Sequence, residues 1–165
     1  MDKQVYYFAY GSNLSTKRLT KRLPTAKCVG VAELMGYSLT FAMLSTDGSA
    51  KCDIQSDPSN EAMVLGVIYQ LSEQELSQLD SIEGARYDRI AMSVQLKNGQ
   101  STMAFCYIAN THHTGVLPFC WYKQHVLNGA NEHDFPKEYV NLIDMQLCTQ
   151  DLDLGREQRE LEIYK

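Results

Sequence analysis

The chain has 165 residues, of which 44% are hydrophobic and 21% are charged, and its formal net charge is -5 at pH 7. This length suits a single domain over residues 1–165, with a polar C-terminal tail from about residue 149. The acidic balance argues against nucleic acid as a partner, because phosphate binding needs a basic footprint. No long apolar segment follows the N-terminal charges, so we expect neither a signal peptide nor a membrane span and favour a cytoplasmic location.

Basic residues and cysteines each allow a simple expectation. The short run at residues 16–23 is expected to present a solvated helix face. Its cations are Lys17, Arg18, Lys21 and Arg22.

The chain has five cysteines, at Cys28, Cys52, Cys106, Cys120 and Cys148. Their number is odd and no CxxC pair occurs, so we expect reduced thiols packed as small apolar residues, and no metal site.

The first predicted element is a strand over Val5–Tyr10, where β-branched and aromatic residues dominate. Gly11-Ser12-Asn13 ends it, and Ser15 is placed to cap a helix in which Leu14 and Leu19 share a face. Backbone N–H groups at a helix start have no intrahelical partner, so an anion or a developing oxyanion could be held there. The equally weighted alternative is that Gly-Ser-Asn only turns the chain.

Two further strands are predicted at residues 28–34 and 37–43, separated by Met35-Gly36. Residues 44–62 are rich in turn formers and predict a long polar loop, either functional or disordered. Residues 63–71 then restore a strand. The sequence therefore predicts a sheet interrupted by one long loop.

Ser72 and Glu75 form a capping-box pattern that opens a helix over residues 73–83. Leu76, Leu79 and Ile82 are expected on one face, and Gly84 is placed to end the helix in a positive-φ conformation. Glu83 therefore falls at the corner. On the residues alone the simpler interpretation of Glu83 is a surface carboxylate, although an acid at a helix C-terminus opposes the dipole.

Alternating residues from Ile90 to Leu96, the Asn98-Gly99 turn and the returning segment 101–109 predict a β-hairpin. Later, apolar spacing predicts two helices, the second opened by Pro136. The spaced residues are Phe119, Tyr122, Val126 and Ala130 in the first helix, and Tyr139, Leu142, Ile143 and Leu147 in the second. About six strands with helices clustered late predict an α+β fold, with a small mixed barrel-like sheet and flanking helices.

The four histidines carry little chemical signal. His112 and His113 are adjacent, which places them on opposite sides of an extended backbone, so a solvated loop pair is favoured over metal ligands. His125 and His133 are isolated and are expected to be surface or packing residues. No GxSxG, Walker or GxGxxG pattern occurs, so nucleotide and dinucleotide chemistry have no support.

Three stretches together resemble the γ-glutamylcyclotransferase family, also called AIG2-like. They are YFAYGSNL, LDSIEGARYDR and YKQHVLNGANEHDFPKEYVNLI, in the family's order over nearly the whole chain. The first motif is specific and the second is looser. Tyr87 follows Glu83 by four positions, a shorter spacing than in human-type members, so the pocket wall there is expected to differ.

The resemblance implies a small mixed barrel with flanking helices and no cofactor. It assigns substrate binding to Tyr10, Gly11, Ser12, Asn13 and Leu14, with Tyr122 near the substrate. Glu83 would be the acid/base. The implied reaction is attack of the α-amine of a γ-glutamyl group on its own γ-carbonyl, which releases 5-oxoproline and an amino acid or amine. The small-molecule γ-glutamyl substrate would be the main partner, and a homodimer is suggested by analogy alone.

Two alternatives stay open. One is a cyclotransferase for a specialised γ-glutamyl amine or biosynthetic intermediate, with specificity set by the loops at 44–62 and 110–118. The other is a non-catalytic metabolite-binding or interaction module on the same fold. The C-terminal tail is compatible with either a partner surface or disorder.

Overall fold

A computed structural model describes residues 4–165. Its seven described strands are β1 (Gln4–Ala9), β2 (Lys27–Met35), β3 (Tyr37–Leu44), β4 (Ala50–Ser56), β5 (Met63–Ser72), β6 (Tyr87–Leu96) and β7 (Ser101–Ala109). The helices are α1 (Thr16–Arg22), α2 (Glu73–Glu83), α3 (Cys120–Glu132), α4 (Lys137–Asp144) and α5 (Leu154–Leu161), with 3-10 turns at Ser12–Leu14 and Glu162–Tyr164. The α+β fold class is confirmed.

Five strands form a closed barrel in the order β1-β5-β2-β6-β7. All pairs in it are antiparallel except β1 with β7, which close the barrel in parallel at Tyr7 and Phe105. Strands β3 and β4 form a separate two-stranded sheet. Closure removes the exposed edges of the barrel and leaves an interior just wide enough for side chains such as Phe8 and Ile68, which pair across β1 and β5 and are fully buried.

Several local predictions are confirmed by their hydrogen bonds. The Ser15 hydroxyl accepts from the Arg18 amide and caps α1. Ser72 and Glu75 form the capping box of α2, and Gly84 ends that helix with φ 73°. The hairpin of β6 and β7 pairs residue by residue across Asn98-Gly99.

The predicted loop at 44–62 is wrong in its centre, where residues 50–56 form β4. Ala50, Cys52 and Ile54 alternate toward the interior and are almost fully buried. This period of two indicates a strand, but turn-forming residues on both sides obscured it. The consequence for the site is large, because β4 supplies one of its walls.

The late helices differ from the predicted pattern in one respect. α4 ends at Asp144, while Leu142 and Leu147 are more than two-thirds exposed. Tyr139, Val140 and Ile143 form the inward face, so Leu142 and Leu147 do not belong to the core.

The C-terminal tail is folded rather than disordered. It forms α5 and a final turn, and the Tyr164 hydroxyl donates to Ser15 Oγ at 2.9 Å. Glu160 pairs with Arg18. These polar contacts, which the local composition of the tail does not indicate, attach it to the start of α1.

Two expectations about side chains are corrected. Cys120 and Cys148 form a disulfide, with Cα atoms 5.0 Å apart, so these two thiols are not free. Arg18 is buried and Arg22 partly buried, whereas Lys17 and Lys21 are exposed, so only half of the basic run is a solvated face. Within residues 4–165, none of the helices has the length and hydropathy to cross a bilayer.

Candidate active site

A cleft opens at the end of the barrel where β1 and β7 finish and β6 begins. We call it the tyrosine cleft, and its lining residues are Tyr7, Tyr10, Gly11, Ser12, Asn13, Cys52, Glu83, Tyr87, Tyr107 and Tyr122. The antiparallel register of β6 with β7, and the parallel register of β1 with β7, bring these ends together. Of the seven residues predicted for the site, six line this one cleft.

Glu83 reaches the cleft because it is the last residue of α2. The helix end is anchored by Asp80, which accepts hydrogen bonds from Tyr107 Oη at 2.8 Å and from Arg89 Nη1 at 2.6 Å. Burial raises the pKa of the Glu83 carboxyl, while Arg22, Arg18 and the Asn13 amide act in the opposite direction. The position at the negative end of the helix dipole also disfavours the charged form.

Asn13 is the direct neighbour of the carboxylate. Its Nδ2 donates to Glu83 Oε1 at 3.2 Å and to Tyr7 Oη at 3.1 Å. Its Oδ1 accepts from Arg22 Nη1 at 3.2 Å. Arginine can only donate, so the contact fixes which end of the amide faces Glu83.

Tyrosine hydroxyls hold the opposite wall in place. The Tyr122 hydroxyl accepts from the Cys52 amide at 3.0 Å, and the Tyr87 hydroxyl donates to the Cys52 carbonyl at 2.6 Å. The Tyr10 hydroxyl donates to the main-chain carbonyl of Tyr107. Burial raises the pKa of Tyr10, Tyr87 and Tyr122 well above the ordinary value, so all three hydroxyls are neutral at physiological pH.

Gly11 lies where the first turn meets β4. A Cβ at this position would lie 2.9 Å from the Cβ of Cys52 and 3.3 Å from the hydroxyl of Tyr122. Real Cβ atoms do not approach so closely, so the absence of a side chain lets the turn and the wall meet.

The expected anion-binding helix start is corrected in its location. Residues 12–14 form their own 3-10 turn, and α1 begins only at Thr16. The first N–H groups of α1 are used by Ser15 Oγ and Glu132 Oε2. The N–H groups of Ser12 and Asn13 open the 3-10 turn and have no partner inside it. Any anion held by amides would therefore meet the 3-10 turn rather than the helix.

Leu14 is the predicted site residue that does not line the cleft. It is fully buried. A Cβ on Gly129 would lie 2.4 Å from the Leu14 Cβ, so α3 crosses the turn at close range. Leu14 thus packs the turn against the helix that carries Tyr122.

Four contributors to the site were not predicted from the sequence: Tyr7, Cys52, Tyr107 and Arg22. Tyr87, whose short spacing from Glu83 predicted a different pocket wall, lines the cleft. Tyr7 and Tyr107 lie on correctly predicted strands, but only the closing register of the barrel shows that they face Glu83. Cys52 fell within the predicted loop. Local sequence signals for these roles are weak, because each role depends on contacts between distant segments.

None of the histidines among residues 4–165 lines the tyrosine cleft. His125 is fully buried, and burial lowers its pKa to about 4. Its ring contacts Tyr164 and Glu160 at 2.7 and 3.1 Å, which makes it a packing residue as expected. His112 Nδ1 lies 2.7 Å from the buried Asp53 carboxylate, so this histidine is tied to β4 rather than simply solvated.

The protein is an α+β barrel with a carboxylate in a tyrosine-lined cleft. Known proteins share this fold. A solved structure titled γ-glutamyl cyclotransferase superposes with a TM-score of 0.85 at 25% identity, covering 97% of this chain and 99% of its own. The AIG2-like family model matches residues 63–143.

Two relatives named γ-glutamylcyclotransferase extend the match. The mouse protein is 32% identical over 141 residues, covering 81% of this chain and 73% of its own. The bovine protein is 33% identical over the same length and coverage. The chain belongs to the γ-glutamylcyclotransferase family.

Proposed function

We propose that this protein is an enzyme that cyclises a γ-glutamyl compound to 5-oxoproline. The observation that carries the proposal is the Glu83 carboxylate, which is partly buried at the tyrosine cleft beside Asn13 and has a raised pKa. The γ-glutamylcyclotransferase names of the family relatives support the same reaction class. The substrates would come from the γ-glutamyl pool of glutathione metabolism.

The chemistry needs one group that can both accept and donate a proton. Glu83 takes a proton from the α-ammonium group, and the free amine attacks the γ-carbonyl carbon. The ring C–N bond forms, and Glu83 returns the first proton to the leaving nitrogen as the bond to that nitrogen breaks. The attacking nitrogen then loses its second proton to Glu83, which passes it to the released amine, so that the products are the lactam 5-oxoproline and an ammonium group. A carboxyl with a pKa raised toward the working pH suits both transfers.

The remaining residues would bind and fold the substrate. Ring closure is intramolecular, so holding the glutamyl chain in its folded form supplies much of the acceleration. The amides of Ser12 and Asn13 would hold the α-carboxylate or the developing oxyanion, a contact typically worth about 3 kcal/mol for an oxyanion. Tyr10, Gly11 and Tyr122 would form the walls, and Leu14 would support the turn from behind.

The test is a mass-spectrometric assay for 5-oxoproline with a panel of γ-glutamyl amino acids, γ-glutamyl amines and glutathione. Glu83→Gln is expected to keep the fold and to lower turnover by at least about a hundredfold. Glu73→Gln removes an exposed carboxylate from the same helix and should leave turnover unchanged. Near-normal activity of Glu83→Gln would remove this residue from its role.

The panel also separates the alternatives. Preference among leaving groups would name the substrate class. Binding of 5-oxoproline or glutamine to a folded wild type that releases no product would favour a metabolite-binding module. A homodimer and a cytoplasmic location stay expectations from the resemblance and the composition.

A further inference from the structure

A second cleft lies between α1 and the C-terminal segment. We call it the basic cleft, and its lining residues are Arg18, Lys21, Arg22, Arg159, Glu160 and Ile163. Four of the six are cationic and one is anionic, in a chain whose formal net charge is -5. The basic cleft and the tyrosine cleft have no lining residue in common. The basic cleft is therefore a separate site, and its net charge is positive whereas that of the whole chain is negative.

The cations of the basic cleft are incompletely paired. Arg18 Nη1 contacts Glu160 and His125, but its Nε is buried and has no hydrogen-bond partner among residues 4–165. Arg159 lies 3.9 Å from the exposed Asp153 carboxylate, a weak contact. Lys21 is exposed and forms no ion pair within the described residues.

Crowding of like charges makes this cleft receptive to an anion. Burial lowers the pKa of Arg22, and the neighbouring Arg18 lowers it further. A bound anion would relieve that repulsion. Guanidinium groups present paired N–H donors that match phosphate oxygens, and an adjacent ammonium adds a point charge.

One hydrogen-bonded path joins the basic cleft to the tyrosine cleft. Arg22 Nη1 donates to Asn13 Oδ1 at 3.2 Å, and Asn13 Nδ2 donates to Glu83 Oε1 at 3.2 Å. The Asn13 side chain thus stands between the two clefts. A ligand on the Arg22 side would contact the cations without entering the space beside Glu83.

We propose that the basic cleft binds a phosphate-bearing small anion, and that this ligand acts on Glu83 through the Arg22–Asn13 contact. Pyrophosphate, with several negative charges in a compact body, is the simplest probe of this chemistry. The positive charges of Arg22 and Arg18 favour the ionised form of Glu83, so an anion that offsets them should favour the protonated form. The other groups facing Glu83 are the neutral side chains of Asn13, Tyr7, Tyr87, Tyr107 and Tyr122.

Binding is measured by calorimetric titration of the full chain with sodium pyrophosphate and, separately, inorganic phosphate, at constant ionic strength. The Lys21→Gln/Arg159→Gln variant removes two exposed cations of the cleft. It should weaken pyrophosphate binding at least about tenfold, since one solvent-screened contact with a unit charge corresponds to about fivefold. Lys17→Gln/Lys27→Gln removes two exposed cations outside the cleft and should bind as the wild type does.

Equal weakening of pyrophosphate binding in both double variants would mean that net charge alone causes the effect, and would contradict the proposed site. Absence of saturable wild-type binding up to about 1 mM would overturn it as well. Thermal melts of both variants confirm that they are folded. None of the four substituted residues is assigned to the reaction.

The effect of the bound anion on Glu83 is measured without following the reaction. The ¹³C resonance of the Glu83 carboxyl is titrated with pH, with and without saturating pyrophosphate, and assigned by comparison with Glu83→Gln. The pKa of Glu83 should rise when the ligand is bound. An unmoved pKa with saturable binding would overturn the proposed action on Glu83. Because neither readout uses 5-oxoproline release, failure here is distinct from failure of the proposed reaction.

Discussion

Replacing Asn13 by aspartate tests the contact on which the candidate site depends. The side chain keeps its size and its bond from Arg22, but the Nδ2 donor that faces Glu83 Oε1 becomes a carboxylate oxygen. Two unit charges 3.2 Å apart repel by about 1.3 kcal/mol even in bulk water. This corresponds to a rise of about one pH unit in the pKa of Glu83, and the less polar cleft makes it a lower bound.

Aspartate at position 13 would be held ionised by Arg22, so Glu83 is the partner that takes up the proton. The acid limb of the pH profile of kcat/KM should therefore move upward by at least about one pH unit. The Glu83 ¹³C resonance should report the same change. Asn131→Asp adds the same charge at an exposed position of α3 and should leave the profile in place.

An unmoved or lowered limb in Asn13→Asp would contradict the reasoning, because it would mean that residue 13 does not face Glu83 in solution. Unfolding of the variant is checked by urea titration before the profile is interpreted. The ¹³C measurement keeps the test decisive even if the variant has low turnover.

Three further predictions follow from the same contacts. Gly11→Ala should raise KM and lower the free energy of unfolding by about 1–3 kcal/mol, because its Cβ would lie 2.9 Å from the Cys52 Cβ. The free energy is measured by urea titration. Gly155→Ala is the control, because the nearest atom to its Cβ is the movable end of the Arg159 side chain. Tyr164→Phe should lower the free energy of unfolding by about 1–3 kcal/mol through loss of its bonds to Ser15 and His125, whereas Tyr6→Phe, an exposed tyrosine on β1, should not. The pKa of His125 is about 4 in the folded chain against 6.5 for an ordinary histidine, so the unfolded state binds its proton first. Stability is then full above pH 6.5 and falls by up to about 3 kcal/mol as the pH drops to 4, a dependence that His125→Gln should flatten and the loop variant His113→Gln should retain.

The predictions that held concern interactions within a few residues of each other. Ser15, the Ser72–Glu75 box and Gly84 act within one turn of their helices, so their side chains can be interpreted without the rest of the chain. The same is true of the hairpin at Asn98-Gly99. The predictions failed where turn-forming residues on both sides outweighed a short alternating pattern, as they did at β4.

The candidate site shows the same division. Six of its predicted residues came from the motif resemblance and gather at one cleft. Arg22, expected in solvent, instead bonds to Asn13, and Tyr107 anchors the helix that carries Glu83 through Asp80. Helical spacing placed Arg22 on α1 but did not reveal that the C-terminal segment covers this helix.

By itself the sequence determined six of the seven described strands and the first four helices in their order, most caps and turns, and the motifs that mark the family. These depend on neighbouring residues and on side-chain periodicity. Tertiary structure alone decided that β1 closes on β7, that β4 forms a wall of the tyrosine cleft, and that residues 154–165 pack on α1. Those outcomes depend on contacts between residues far apart in the chain. The burial, and hence the pKa, of Glu83 and His125 arises only when those contacts form.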